Sequence, residues 1–194
     1  MKKLNLLFVA LVGASALTFT SCTDECKDVV CENGGTCDEE SGACDCPANF
    51  YGESCETECI NGTYASGACT CDAGYEGDAC IVVSRDKFLS TYSVSEVCGS
   101  GSDAYTSSVT VSNTEITNIL IGNFYNVYTN PVVASVSGND ITIASQDPDS
   151  DGFVVSGSGS MNAAGTVLSI TFTLSDDGGD GTNTETCTAT YTKE

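Results

Sequence analysis

The sequence predicts a mostly β protein, in which two small disulfide-rich modules precede an antiparallel β-barrel or sandwich of about eight strands. The cysteine distribution and the hydrophobic pattern both predict it. Ten of the 13 cysteines lie between Cys26 and Cys80, and only two follow residue 81. Beyond that residue, apolar and polar side chains alternate with the period of a strand, and no segment has helical periodicity.

The composition favours disulfides over metal sites and gives no support for an enzyme. The 194 residues include no histidine, which removes the commonest general base and the commonest metal ligand. Structural zinc would require cysteine-only sites, which are usually built from C-x-x-C pairs, and the chain contains none. The Gly-rich stretches lack the strand-to-helix context of a phosphate-binding loop. We therefore expect no catalytic residues, and calcium as the one possible cofactor.

Residues 1–21 have the features of a secretory signal peptide, because two lysines precede a mostly apolar run from Leu4 to Phe19. The run is too short for a stable membrane span. The residues before Cys22 resemble a bacterial lipobox, in which the cysteine carries the lipid after cleavage. Removing Cys22 from 13 cysteines leaves 12, an even set with no orphan thiol. The alternative is an ordinary cleaved signal with Cys22 in a disulfide.

Residues 22–25 form the predicted tether, in which Asp24 and Glu25 follow the lipidated cysteine. This acidic pair resembles a tag that sends some lipoproteins to the outer face of the outer membrane; the alternative is a solvated linker. After signal cleavage, 6 − 2 = 4 basic residues remain against 27 acidic ones, a net charge of −23. Such a surface repels phosphates, so nucleic acid is excluded as a partner and the lipid must provide membrane attachment.

The first module, residues 26–55, has a specific cysteine spacing. Its cysteines are Cys26, Cys31, Cys37, Cys44, Cys46 and Cys55. With the ENGGTC run and the CPANFYGESC ending, this spacing resembles the epidermal growth factor-like (EGF-like) domain. The resemblance implies the pairs Cys26–Cys37, Cys31–Cys44 and Cys46–Cys55. A segment of about 30 residues buries too little apolar surface to fold alone, so disulfides replace a core.

The second module, residues 56–80, resembles a degenerate EGF-like domain. Its tail, CDAGYEGDAC, matches the family better than its first half, which lacks the first and third cysteines. Those two cysteines are partners in the family pairing, so their joint loss leaves two intact pairs. The resemblance therefore implies Cys59–Cys69 and Cys71–Cys80.

Residues 81–194 form the predicted β domain. The strands are expected near 88–97, 104–112, 115–121, 124–129, 131–137, 141–145, 153–160, 166–174 and 184–192, with 124–129 as an alternative loop. In TVLSITFTLS, the side chains of Leu168, Ile170, Phe172 and Leu174 share one face. Sequential hairpins predict a meander that closes into a barrel or folds into a sandwich.

Cys98 and Cys187 lie at the end of the first predicted strand and within the last. A bond between them would hold these strands side by side, as closure of a barrel requires. The domain broadly resembles the small lipocalin-like barrels of bacterial surface lipoproteins, without the tryptophan of their signature. Glu96 shares a strand face with Cys98, so it would be a functional candidate if it pointed inward; the alternative is a solvated position at the rim.

The segment DPDSDGFV, residues 147–154, resembles the first half of an EF-hand-type calcium loop. Its predicted calcium ligands are Asp147, Asp149, Asp151 and the backbone carbonyl of Phe153. Ser158 stands where the family has a bidentate glutamate, and DDGGDG at 176–181 would supply further oxygens if the two loops meet. The alternative is a solvated acidic turn.

Together these patterns predict a lipid-anchored protein of the outer membrane, facing the cell exterior and without enzyme activity. The EGF-like modules would act as a spacer or interaction surface, and the β domain would bind another protein or a glycan. One alternative is a carrier whose barrel holds a small apolar ligand, and a second is a purely structural surface protein. An empty interior would favour the carrier, and a filled one the other two.

Overall fold

The computed structural model describes residues 25–176 and 183–194. The predicted signal peptide, the predicted lipidation site Cys22 and residues 177–182 lie outside the described residues. Within the described ranges, no helix combines the length and the hydrophobicity needed to cross a membrane.

Short two-stranded ladders and disulfides build the N-terminal modules. The strands are β1 (Thr36–Cys37), β2 (Cys44–Asp45), β3 (Phe50–Tyr51), β4 (Thr57–Glu58), β5 (Gly62–Ala65), β6 (Ala68–Cys71), β7 (Tyr75–Glu76) and β8 (Val82–Val83). The bonds are Cys26–Cys37, Cys31–Cys44, Cys46–Cys55, Cys59–Cys69 and Cys71–Cys80, the pairs that the EGF-like resemblance implied. Asn49 adopts φ 67°, which asparagine tolerates.

Direct contacts connect the two modules. The rings of Tyr51 and Tyr64 stack with centroids 5.0 Å apart, and the Tyr51 hydroxyl donates to the Asp78 carbonyl at 2.8 Å. Strand β3 of the first module pairs with β4 of the second. The modules therefore follow one another as a packed pair.

The second module also packs against the β domain. Strand β8, which follows the predicted boundary at residue 80, pairs with β7 of the module. Lys87 forms an ion pair with Glu76 at 2.8 Å, and the backbone of Gly74 lies against Ile116. A 3-10 helix, Ser84–Phe88, then leads into the first barrel strand.

Eight antiparallel strands close into a barrel. They are β9 (Ser90–Cys98), β10 (Gly101–Val111), β11 (Asn118–Gly122), β12 (Val132–Ser137), β13 (Asp140–Gln146), β14 (Phe153–Met161), β15 (Val167–Asp176) and β16 (Thr184–Lys193). Neighbours in sequence are neighbours in the sheet, and β16 pairs with β9 to close it. Cys98 faces Cys187 in that ladder, and a disulfide joins them. The predicted fold is confirmed in its barrel form.

Side chains fill the barrel interior. Leu168, Ile170, Phe172 and Leu174 are buried, as the alternation in TVLSITFTLS predicts. On the paired strand β14, the inward positions opposite Ile170 and Phe172 are Gly159 and Gly157. The SGSGS stretch therefore leaves room for large side chains on β15. This part of the barrel interior is therefore filled by side chains.

The predicted strand at 124–129 is wrong, and the loop alternative is correct. Phe124–Asn126 form a 3-10 turn between β11 and β12, with Asn123, Tyr125 and Asn126 at positive φ. The loop side chains alternate as in a strand, but Phe124 turns into the barrel and is fully buried. Tertiary packing overrides the local pattern here.

Candidate functional site

The two ends of the barrel differ in what covers them. The second module and the 3-10 helix cover the end where β9 begins, which we call the proximal end; Phe88 is buried there and its carbonyl accepts the Tyr92 hydroxyl at 2.7 Å. The opposite end, the distal mouth, carries the β9–β10, β11–β12, β13–β14 and β15–β16 connections. The modules therefore leave the distal mouth uncovered.

The β11–β12 connection folds over the distal mouth. The Phe124 ring packs against Phe172 with centroids 4.8 Å apart, and against Tyr128 at 6.3 Å. Tyr125 adopts φ 58° and ψ 16°, a left-handed conformation that is uncommon for an aromatic residue. Its ring lies edge-on to Phe172, 5.9 Å away. Strained backbone held by tertiary contacts is a frequent feature of functional sites.

Glu96 points into the barrel beneath this loop, so its inward placement is the correct alternative. Its side chain is only 2% exposed. The Tyr105 hydroxyl donates to Glu96 Oε2 at 2.8 Å and accepts the backbone N–H of Tyr125 at 3.1 Å. A hydrogen-bonded chain thus connects the buried carboxylate to the strained loop.

The second carboxylate oxygen, Glu96 Oε1, has no hydrogen-bond donor among residues 25–176 and 183–194. Its neighbour at 3.8 Å is Cys98 Sγ, which carries no proton because it is in the disulfide. Burial raises the pKa of Glu96, the Tyr105 hydrogen bond offsets part of this rise, and the nearby Asp103 and Glu185 carboxylates add to it. The carboxylate is therefore short of partners for its charge.

Tyr191 completes the polar group inside the barrel. Burial raises its pKa, while the side chains of Tyr105 and Ser107 act in the opposite direction. Its hydroxyl is buried without a well-aligned hydrogen-bond partner in the described structure. Glu96, Tyr105, Ser107 and Tyr191 thus form a cluster of polar side chains inside the barrel.

Two clefts open at the distal mouth on either side of Tyr125 and Val127. The larger has a volume of about 620 Å³ and is lined by aromatic and apolar side chains, including Tyr128, Phe153 and Leu174, together with Asp151 and Glu185. The smaller, about 240 Å³, has Glu96 and Asp103 in its lining. Both volumes match or approach those of small-ligand sites.

Charge is distributed unevenly between the two ends. The acidic residues of the described distal mouth are Glu96, Asp103, Asp147, Asp149, Asp151, Asp176 and Glu185. The three basic residues of the β domain, Arg85, Lys87 and Lys193, make their contacts at the proximal end. The acids also affect the β11–β12 connection. Burial raises the pKa of Tyr128 to about 12, and the carboxylates of Asp151, Asp147 and Asp149 contribute to this rise.

The predicted calcium ligands serve backbone amides in the structure. Asp149 accepts the N–H groups of Thr129 and Asn130 at 2.8 and 2.7 Å, which ties the β13–β14 connection to the β11–β12 connection. Asp147 accepts the N–H groups of Asp151 and Gly152, and Asp151 accepts that of Phe153. The Phe153 carbonyl accepts the Tyr128 hydroxyl at 3.3 Å.

The carboxylates of Asp147, Asp149 and Asp151 do not come close enough together to share one metal ion. Among the described residues, the acidic and cysteine groups close enough to share a metal ion are Cys98, Glu185 and Cys187. Both cysteines are in a disulfide, so that group lacks thiolates. The further oxygens expected from 177–181 lie outside the described residues. Calcium binding stays a prediction.

Sequence reasoning identified Glu96 but missed Tyr105 and Tyr125. Tyr105 occupies an inward position of β10, two residues after Asp103, which lies directly opposite Glu96. The alternation of β10 would have placed Tyr105 on the Glu96 side of the sheet. No local pattern indicates Tyr125, because its position depends on the loop crossing the mouth.

Comparison with known proteins concerns the modules. A family model described as Teneurin-like EGF domain matches residues 60–82. The chain is 39% identical to the angiopoietin-1 receptor of Danio rerio over 46 residues. This matched stretch covers 24% of this chain and 4% of the receptor. The chain is 48% identical over 42 residues to a cubilin homolog of Caenorhabditis elegans, covering 21% of this chain and 1% of that protein. The N-terminal region therefore consists of EGF-like modules, and the chain spans only a few per cent of these relatives.

Proposed function

We propose that this is a lipid-anchored interaction protein of the outer cell surface, without enzyme activity. In this proposal, Cys22 carries the lipid and the outer membrane holds it. The EGF-like modules act as a spacer, and the distal mouth of the barrel binds another protein or a glycan. The uneven covering of the barrel ends carries the proposal, because the modules pack against the proximal end and leave the distal mouth uncovered.

The packing between modules supports the spacer role. Tyr51 and Tyr64 stack across the first junction, and Glu76 and Lys87 pair across the second. Contacts at both junctions restrict hinge motion relative to a free linker. A tether that begins before Cys26 would therefore hold the distal mouth away from the membrane.

Surface digestion of whole cells tests the display. An added protease should remove the β domain from intact cells, while a periplasmic marker stays uncut. The matched variant is Cys22→Ala, which should abolish lipid labelling and release the protein from the membrane fraction. Protection of the wild-type protein in intact cells, or lipid labelling that survives Cys22→Ala, would contradict the proposal.

A further inference from the structure

We propose that the distal mouth binds an organic cation, an alkylammonium or guanidinium group on an apolar stem, with Glu96 as its buried counter-charge. This inference rests on the proposed function, because it names the ligand chemistry of the same mouth. The recognised group is the cation with its apolar stem, which either a free amine or a basic side chain of a partner protein can supply.

The charge arrangement provides the first argument. Acidic side chains line the distal mouth, and none of the described basic residues makes a contact there. Arg85 donates to the carbonyls of Ser112, Glu115 and Asn118, Lys87 pairs with Glu76, and Lys193 donates to the Lys87 carbonyl. Because no described cation neutralises the mouth from within, a ligand with complementary charge must be cationic.

Glu96 provides an independent second argument. It is 2% exposed and lines the smaller cleft, yet Oε1 lacks a donor in the described part of the chain. A buried carboxylate oxygen without a partner is costly, whereas an ammonium or guanidinium N–H would satisfy it. Asp103 lines the same cleft as Glu96, so its carboxylate would add to the attraction for a cation bound there.

The walls of the clefts indicate an organic cation. Val127 is 67% exposed, which is high for a large apolar side chain, and it lines both the cleft of Glu96 and the larger cleft. Tyr125 also lines both clefts, and its aromatic ring can attract a cation through its π face and pack against an apolar stem. The larger cleft adds Tyr128 and Phe153, of which Phe153 is 53% exposed. A hydrated metal ion would use neither feature.

Calorimetry on the full mature chain, with its disulfides intact, tests the inference. The probes are hexylammonium with hexanol and hexanoate as matched neutral and anionic controls, and a capped Leu-Lys-Phe-Lys peptide with Leu-Gln-Phe-Gln as its control. We expect at least one cationic probe to bind. Its matched control should bind about tenfold more weakly or not at all. Salt at about 1 M should weaken the binding of the cationic probe, because it screens the charges. Binding of hexylammonium identifies a free amine as sufficient; binding of the peptide alone identifies a basic protein segment.

Variants locate the site. Glu96→Gln should weaken binding of the cation about tenfold. Val127→Ser, at an exposed position that lines both clefts, should weaken binding without removing a charge. Asp140→Asn, at the start of β13 on the proximal end, is the matched control and should leave affinity unchanged. If Glu96→Gln fails to fold, the comparison of Val127→Ser with Asp140→Asn decides.

Three results would overturn the inference: no cationic probe binds, the neutral controls bind as tightly, or Asp140→Asn weakens binding as much as the mouth variants. None of these results affects the digestion of whole cells. The experiments can therefore contradict the cation-binding inference without contradicting the proposed surface display, and the reverse.

Discussion

Gly157 lies directly opposite Phe172 in the ladder between β14 and β15, and both positions face the barrel interior. The Thr171 carbonyl and the Cα and Cβ atoms of Phe172 occupy the space that a side chain at 157 would need. The Phe172 ring contacts Phe124 from the β11–β12 connection. The glycine in β14 therefore leaves room for Phe172 of β15, and Phe172 in turn helps to position the β11–β12 connection.

Gly157→Ala should destabilise the barrel by about 1–3 kcal/mol, the usual cost of overpacking a core. A Cβ at this position would lie 2.8 Å from Phe172 Cα, a backbone atom that cannot move aside. Denaturant unfolding measures the change. Gly99→Ala is the matched control, because its nearest atom would be 3.5 Å away; equal effects of the two substitutions would contradict the packing argument.

Replacement of the pair Cys98 and Cys187 by serine should lower the free energy of unfolding by about 4–5 kcal/mol in the chain-entropy account. The bond closes a sequence separation of 89 residues and joins the first barrel strand to the last. Thermal unfolding and near-ultraviolet circular dichroism would follow the loss. As a control, replacing Cys71 and Cys80, separated by 9 residues, should affect the barrel less. A larger loss of barrel stability on replacement of Cys71 and Cys80 than on replacement of Cys98 and Cys187 would argue against barrel closure as the main role of Cys98–Cys187.

Glu96→Gln should change how stability depends on pH. Burial raises the pKa of Glu96, so the folded protein holds this proton more tightly than the unfolded chain. The resulting stabilisation is fully present below the unfolded pKa and is lost as pH rises through the folded pKa. The free energy of unfolding of the variant, measured by urea unfolding, should therefore rise relative to that of the wild type as pH increases above the ordinary glutamate pKa of 4.5. A stability difference that stays constant as pH increases above this value would contradict the prediction.

Arg85→Ala should destabilise the proximal end. Its Nη1 donates to the carbonyls of Ser112, Glu115 and Asn118, at 2.8, 2.8 and 3.1 Å. Loss of hydrogen bonds from a charged group costs about 1.5–3 kcal/mol. Thermal unfolding should show a lower midpoint, whereas Lys27→Ala, at an exposed position of the first module, should leave it unchanged.

Asp149→Ala should make the β11–β12 connection more mobile, whether or not calcium is present. Asp149 accepts the backbone N–H groups of Thr129 and Asn130, so these amides should exchange hydrogen faster in the variant. Asp149→Asn retains one carbonyl acceptor and should show a smaller effect. Calorimetry with millimolar calcium belongs in the same experiment: a calcium-dependent heat that Asp149→Ala abolishes would establish the metal site and contradict a purely structural role.

The sequence by itself determined the cysteine framework and the strand alternation. Cysteine spacing in the modules is a local property, and the resemblance that it carries implied the bonds that the structure contains. The buried faces of β15 and β16 follow from a period of two, because successive strand residues point to opposite sides. Sequence also indicated that Cys98 and Cys187 would meet, since a closed meander brings its first and last strands together.

The tertiary structure alone decided the character of the distal mouth. Phe124 and Tyr125 are 48 and 47 residues before Phe172 in the numbering, yet the three rings meet because the barrel brings the β11–β12 connection over β15. The same closure buries Glu96 beside Tyr105 and gathers acids from three of the four distal connections and their flanking strand ends. Such proximity depends on how the ends of several strands meet in space, and no local pattern in the sequence encodes it.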